Sequence, residues 1–281
     1  MRRAVRAVAG AFLLAMVPVG CAYAADLVTV SPPPPVLPAP APPRWTIEIG
    51  AEMRALPRYQ GSDRYDYFPF PLFDLRDAGT PPRYHGPRDG FGYALLDTRT
   101  FKAGPVIQVE LGREVKHNPA LAGLGDVGPT AEVGAFVDYW PVPWLRARVE
   151  VRQGFGGHAG VVADQFLDVI VPVTSRWTLS GGPRLTEATR EANFPYFGID
   201  AGQSAASGLA VYDPGGGVRS YGLGTQARYQ WNAQWESHAF VEYSRLTDGV
   251  ADSPVVAARG SADQAMFGFG TTYTFDMPAL W

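Results

Sequence analysis

The chain has a single cysteine, Cys21, so it can form no internal disulfide, and no CxxC redox or metal pair is available to it. Lysine is nearly absent too. Only Lys102 and Lys116 stand among the 24 cationic residues, which leaves almost all positive charge on guanidinium groups, suited to planar anions and packed ion pairs. The four histidines, His85, His117, His158 and His238, show no helical or ribbon spacing of metal ligands, so neither a structural metal nor a cofactor is expected. No apolar run reaches the roughly 20 residues of a membrane-spanning helix. A formal net charge of -3 gives no basic footprint for nucleic acid.

What is present begins with Met1-Arg2-Arg3-Ala4-Val5-Arg6, an apolar stretch over residues 7–19, and Ala22-Tyr23-Ala24 ahead of Asp26. This reads as a secretory leader over residues 1–24. A lipidated Cys21 is the rival reading, but Pro18 stands where bacterial lipoprotein signals carry a leucine-like residue. Cleavage after Ala24 would remove three arginines and no acids, leaving 21 cations against 27 acids, a net charge of -6. Residues 25–44 follow as a proline-rich spacer, too short of backbone donors to form a helix or a sheet ladder.

From Trp45 onward, apolar and polar residues alternate with period two. Leu145, Ala147, Val149, Val151 and Phe155 share one face of an extended segment, and Arg146, Arg148, Glu150 and Arg152 share the other. The same alternation recurs around Ile47, Val109, Val133, Leu179, Leu223 and Phe267. The runs approach ten residues, the length a tilted strand needs to cross a bilayer, whereas ordinary strands average five or six. Tryptophans border the shortest connections, as Trp140 and Trp144 do around Pro141-Val142-Pro143, and as Trp231 and Trp235 do around Asn232-Ala233-Gln234. An aromatic-rich strand with Phe267, Phe269, Tyr273 and Phe275 lies almost at the C-terminus, like the signal read by the outer-membrane assembly machinery.

These features predict an all-β fold, a transmembrane antiparallel up-and-down β-barrel over residues 45–281 with about twelve strands, ten or fourteen being the alternatives. Segments 57–67, 77–88, 118–128, 191–208 and 249–262 are expected as the longer, extracellular loops. The glycine string Gly215-Gly216-Gly217 is expected as a hairpin turn.

Several strings go further than pattern. They are Arg58-Tyr59-Gln60-Gly61-Ser62-Asp63, Gly157-His158-Ala159-Gly160, Tyr196-Phe197-Gly198-Ile199, Ser207-Gly208-Leu209 and Asp252-Ser253-Pro254. In this order and spacing they resemble the MipA/OmpV family of outer-membrane proteins, over residues 45–275. The resemblance implies an outer-membrane barrel of a Gram-negative cell. It also implies a scaffold role linking a lytic transglycosylase to a peptidoglycan synthase, with porin-like or adhesive roles in other members. Outer-membrane lipid, lipopolysaccharide and the assembly machinery are the further partners expected.

Read from the residues themselves, His158 is a turn residue with a hydrogen-bonding duty, and Gly61-Ser62-Asp63 and Asp252-Ser253-Pro254 are strand-end turns. Arg58 and Tyr59 are candidates for sugar or phosphate contact. Catalysis is not expected, since Gly202-Gln203-Ser204-Ala205-Ala206 lacks the closing glycine of a nucleophile elbow. The better candidate site is the lumen. There Arg146, Arg148, Glu150 and Arg152 require partners, and Glu48, Glu52, Glu110, Glu132, Asp164, Asp168, Glu236 and Glu242 lie on polar rows. The outcome is either a plug-like network or a charged constriction for small solutes.

Overall fold

A computed structural model describes residues 44–78, 80 and 82–278. The expected leader, the spacer up to residue 43 and Trp281 lie outside the described residues. In chain order the strands are β1 (Arg44–Pro57), β2 (Tyr65–Asp77), β3 (Phe91–Gly92), β4 (Leu96–Asp97), β5 (Phe101–Glu110), β6 (Thr130–Val142), β7 (Leu145–Gly156), β8 (Val161–Pro172), β9 (Trp177–Ala188), β10 (Gly217–Gln230), β11 (Trp235–Leu246) and β12 (Asp263–Pro278). All twelve join one antiparallel sheet in the order β2-β1-β12-β11-β10-β9-β8-β7-β6-β5-β3, with β4 also on β5. Ten are long, from 10 to 16 residues.

Period-two sequence becomes two faces with different surroundings. Along β7, Arg146, Arg148, Glu150 and Arg152 are buried while Val149, Val151 and Phe155 are exposed, and every long strand from β6 to β12 repeats this. A soluble sandwich buries its apolar rows; here they point outward and the charged rows point in. That inversion defines a β-barrel wall whose outer face is solvated by lipid. Aromatics gather at both margins. Trp144, Trp177, Trp231 and Trp235 stand exposed at the end with short turns, where Trp177 and Tyr229 lie 4.8 Å apart and Trp235 and Tyr273 4.9 Å apart. Phe155, Tyr221, Tyr243 and Phe267 ring the other margin, with aliphatic side chains between.

Four connections at that other margin, residues 58–64, 111–129, 189–216 and 247–262, are long and pack on one another. Two of them contain α-helices the alternation did not reveal: α1 (Arg190–Phe197), α2 (Ala201–Ser207), α3 (Asp248–Ala251) and α4 (Pro254–Ala257). Gly215 and Gly217, with φ of 64° and 133°, close the connection carrying α1 and α2 rather than forming a two-strand hairpin.

One expected extracellular loop is misplaced. Since β2 runs toward the short-turn end, segment 77–88 starts there and not among the long loops. It then turns inward, and residues 82–90 fill part of the lumen. Arg88 spans it, donating to Asp164 of β8 at 2.7 Å and to Glu242 of β11 at 2.9 Å.

The sheet has two edges. Among the described residues no backbone hydrogen bond joins β2 to β3, β4 or β5. Proline explains part of this. Pro69 and Pro71 lie within the unbroken β1–β2 register, so their nitrogens must occupy positions facing away from β1, toward the free edge. On the opposite edge the Tyr93 and Leu95 N–H groups donate to the carbonyls of Pro105 and Ala103, but Pro105 has no N–H to return. The register slips by one residue there, from Gly92↔Val106 to Leu96↔Ala103, which splits this edge into β3 and β4.

Candidate functional site

The charged row of β7 sits at the centre of an ion-pair network. Alternation fixes the four side chains on one face at spacing two, so adjacent opposite charges can pair along the strand and across it. Arg148 Nε meets Glu150 at 2.6 Å and its Nη1 meets Asp138 of β6 at 3.1 Å, with the guanidinium 4.1 Å from the Phe136 ring centroid. Arg152 binds Glu132 of β6 at 2.8 Å and also Glu150 and Asp164. Arg146 reaches Asp138 at 2.9 Å and Asp168 of β8 at 3.4 Å. Every one of these groups is at least nine-tenths buried. Charges buried to that degree are tolerable only with such partners.

The inward segment completes the set. Asp89 binds Arg146 at 2.6 Å, the Gly90 N–H donates to Glu150 at 3.0 Å, and the Tyr84 hydroxyl donates to Asp168 at 3.4 Å. Gly90 approaches so closely that a Cβ would lie 2.5 Å from the Val106 side chain, so no larger residue fits. Residues 82–90 are therefore a plug, tied to β7, β8 and β11. Asp89, Asp138, Arg88 and Arg184 belong to the network and were not among the residues read from the sequence as its members. Asp138 lies between Val137 and Tyr139 and Arg184 between Pro183 and Leu185, both in strands, whereas Asp89 and Arg88 lie in a segment without periodicity.

The remaining acids sort themselves elsewhere. Glu52 pairs with Arg54 and His238, Glu236 with Arg228 at 2.6 Å, and Glu48 with Arg76 at 3.6 Å. Glu242 takes Arg88 and, at 3.5 Å, Arg184. A cavity of about 970 Å3 remains in the lumen around the plug, lined from β1 and β2 on one side and from β5 to β7 on the other.

At the long-loop end the motif residues form a lid. Tyr59, Leu121, Leu124, Ile199 and Val255 make one buried cluster, and Tyr196, Phe197, Leu246, Val250 and Val256 another. Ser62 Oγ accepts from the Arg64 N–H, closing the Gly61-Ser62-Asp63 turn, with Gly61 at φ 90° and Asp63 exposed. Ser253 Oγ donates to the Phe197 carbonyl at 2.6 Å and caps α4, which starts at Pro254 behind an exposed Asp252. Gly198 ends α1 and Gly208, in the left-handed region, ends α2; the Ser207 carbonyl accepts from Arg259. Gly160 packs where a Cβ would strike the Ala192 backbone. Tyr59 is buried with its hydroxyl on the Arg259 carbonyl, and Arg58 pairs with Asp66 at 3.1 Å. The Tyr59 hydroxyl is thereby engaged inside the lid, while the Arg58 guanidinium stays partly exposed at the surface.

His158 lies beneath this lid, its Nε2 3.0 Å from Glu132 and 3.8 Å from Glu110. The three residues bring possible metal-ligand atoms within 4.8 Å of one another, a convergence their sequence spacing concealed. The surroundings favour a proton over an ion, because Arg152 already holds Glu132 and Arg219 lies 4.0 Å from Glu110. Burial disfavours charge on the ring, yet the hydrogen bonds and charges of Glu110 and Glu132 outweigh it and push its pKa up to about 9. They also outweigh the long 3.3 Å approach of the Gly160 N–H to Nδ1, which the protonated ring gives up.

Comparison with known families decides the membership. The family described as MltA-interacting protein MipA matches residues 49–275. The chain belongs to this family. The MltA-interacting proteins of Escherichia coli (strain K12) and Shigella flexneri are each 31% identical to it over 98 residues, 35% of this chain. The match spans 38% of the length of these relatives. Among solved structures, the NanC porin is 9% identical over 82% of this chain and 100% of its own, with a TM-score of 0.39. OprG from Pseudomonas aeruginosa is 10% identical over 83% and 97%, with a TM-score of 0.28. With its lipid-facing wall, this MipA-family chain is an outer-membrane β-barrel protein.

Proposed function

We propose that this MipA-family barrel is a non-enzymatic membrane anchor on which cell-wall machinery assembles, holding a lytic transglycosylase near a peptidoglycan synthase. The observation that carries the reading is the plug. Ion pairs from Arg88 and Asp89 to β7, β8 and β11 hold the plug across the lumen, an arrangement suited to a rigid body rather than a wide conduit. The family's name, MltA-interacting protein, supports the partner. Export by the leader, folding by the outer-membrane assembly machinery and contact with lipopolysaccharide complete the proposal.

The test is retention. The full chain, folded and immobilised in detergent, is expected to hold back an MltA-type transglycosylase, whereas a barrel of similar size and another family is not. Passage of the enzyme through both columns alike would remove the scaffold reading. A small-solute pore is the second reading, favoured by the cavity of about 970 Å3. It requires single-channel steps in planar bilayers that change with Arg148→Ala.

A further inference from the structure

The cavity is bounded by residues that a closed barrel would never place on one space. On β2 the even-numbered side chains face the lumen, matched in register to Glu52, Gly50, Glu48 and Thr46 of β1, and the odd-numbered ones face lipid. Yet the cavity is lined both by inward Phe70 and Leu72 and by outward Phe73 and Leu75. On the other side of the gap Phe91 and Tyr93 line the same space, both more than half exposed. A cavity that touches both faces of a strand passes around that strand's edge.

That edge is the unlaced one. Pro69 and Pro71 remove two donors from the free edge of β2, and Pro105 removes the donor that would have continued the ladder at Tyr93. Bare sheet edges are not tolerated in hydrocarbon unless something covers them or they line a cavity. The prolines reduce what has to be covered and keep a neighbouring strand from zipping the gap shut. Inside the gap the wall changes character. Phe70 and Leu72 supply an apolar stretch on the inner face of β2, and Arg54 stacks 4.5 Å over the Phe70 ring. Next to them Arg76 bonds Asp74 at 2.7 Å while its buried Nε has no protein partner.

We infer that the wall opens sideways between β2 and the β3–β5 edge, and that the cavity takes an acyl-chain amphiphile with an anionic head directly from the bilayer. The chain lies along Phe70, Leu72, Phe73 and Phe91 and the head turns toward Arg76. This differs from the pore reading, in which a polar solute would travel along the barrel axis.

The experiment uses the full chain exchanged into amphipol, so that no free detergent competes, and titrates a fluorescent long-chain fatty acid. Saturable binding of one molecule per chain is expected, displaced by an unlabelled fatty acid and not by sucrose. Leu72→Trp fills the apolar part of the cavity and is expected to weaken binding about tenfold. Leu179→Trp adds the same ring to the lipid-facing side of β9 and is expected to leave binding unchanged, while Arg76→Gln weakens it about threefold. Heat-modifiability on gels confirms that each variant is folded. If Leu72→Trp does not fold, displacement from the wild-type chain still decides. Equal effects of the two tryptophans, unsaturable binding, or displacement by sucrose would each overturn the inference. So would cross-linking that captures two copies of the chain joined through β2.

Discussion

Arg152 shares with Arg146 the heaviest duty in the lumen, because three carboxylates, Glu132, Glu150 and Asp164, converge on its one guanidinium as Asp89, Asp138 and Asp168 do on the other. Truncating one member of a buried network leaves the others charged, unpaired and dehydrated, at a cost of about 3–5 kcal/mol. Arg152→Ala is therefore expected to destabilise the barrel by that amount in urea unfolding from lipid vesicles. Arg152→Lys should recover only part of it, since an ammonium cannot present the planar fork that three separate acceptors require. His158 makes a prediction of opposite form. Its pKa is raised from the ordinary value near 6.5 to about 9 by Glu110 and Glu132, so its contribution is complete below about pH 6.5 and is lost as pH rises through about 9. The midpoint of thermal unfolding should fall across that window. His158→Gln should flatten the slope, with Tyr196, Arg152 and Arg219 still in place around it. Gly154 is part of this site as well, because a Cβ there would lie 2.2 Å from the His158 ring.

At the scale of elements, what could be read from the sequence is what is local. Strand β7 announced itself because all its information lies within twelve consecutive residues, and the short-turn tryptophans because they flank proline or asparagine directly. The plug was illegible for the converse reason. Asp89 finds Arg146 at a separation of 57 residues, and Arg88 finds Glu242 at 154, with no periodicity between to suggest either. Helix α2 did carry a local signal. Asp200 and Gln203 form a capping box and Gly208 ends the helix, so the start and stop were both written in a segment read only as loop. The strand edges were written too, in Pro69, Pro71 and Pro105, although only the pairing order revealed that these prolines share a gap. This edge makes its own prediction. Amide exchange in amphipol should be fast at Tyr67, Phe73 and Leu75, whose N–H groups share the free side with Pro69 and Pro71, and slow at Phe70 and Leu72, which face β1. Uniform protection along β2 would mean that a strand covers it.

For the whole molecule the question is whether the barrel transmits anything along its axis, and the plug and lid answer it together. The lid packs four loops into two apolar clusters over one end, and the plug narrows the middle. Two independent obstructions in series mean that opening either alone leaves the path shut. Arg88→Ala with Asp89→Ala removes the ion pairs that hold the plug to β7, β8 and β11, leaving it the Gly90 and Tyr84 hydrogen bonds, and leaves the lid intact. Replacing residues 254–260 by a short glycine-serine linker removes Val255 and Val256 from the lid clusters but leaves the plug. In planar bilayers the wild-type chain and each of these variants alone are expected to be silent, and their combination to show steps. The steps should shrink as salt is lowered, in proportion to the electrolyte that carries the current. If freeing the plug alone produces steps, the lid does not seal, and the pore reading gains at the expense of the anchor. Steps from the untouched chain would show that the ion pairs of Arg88 and Asp89 leave an open path beside them, through the same cavity that reaches the β2 edge.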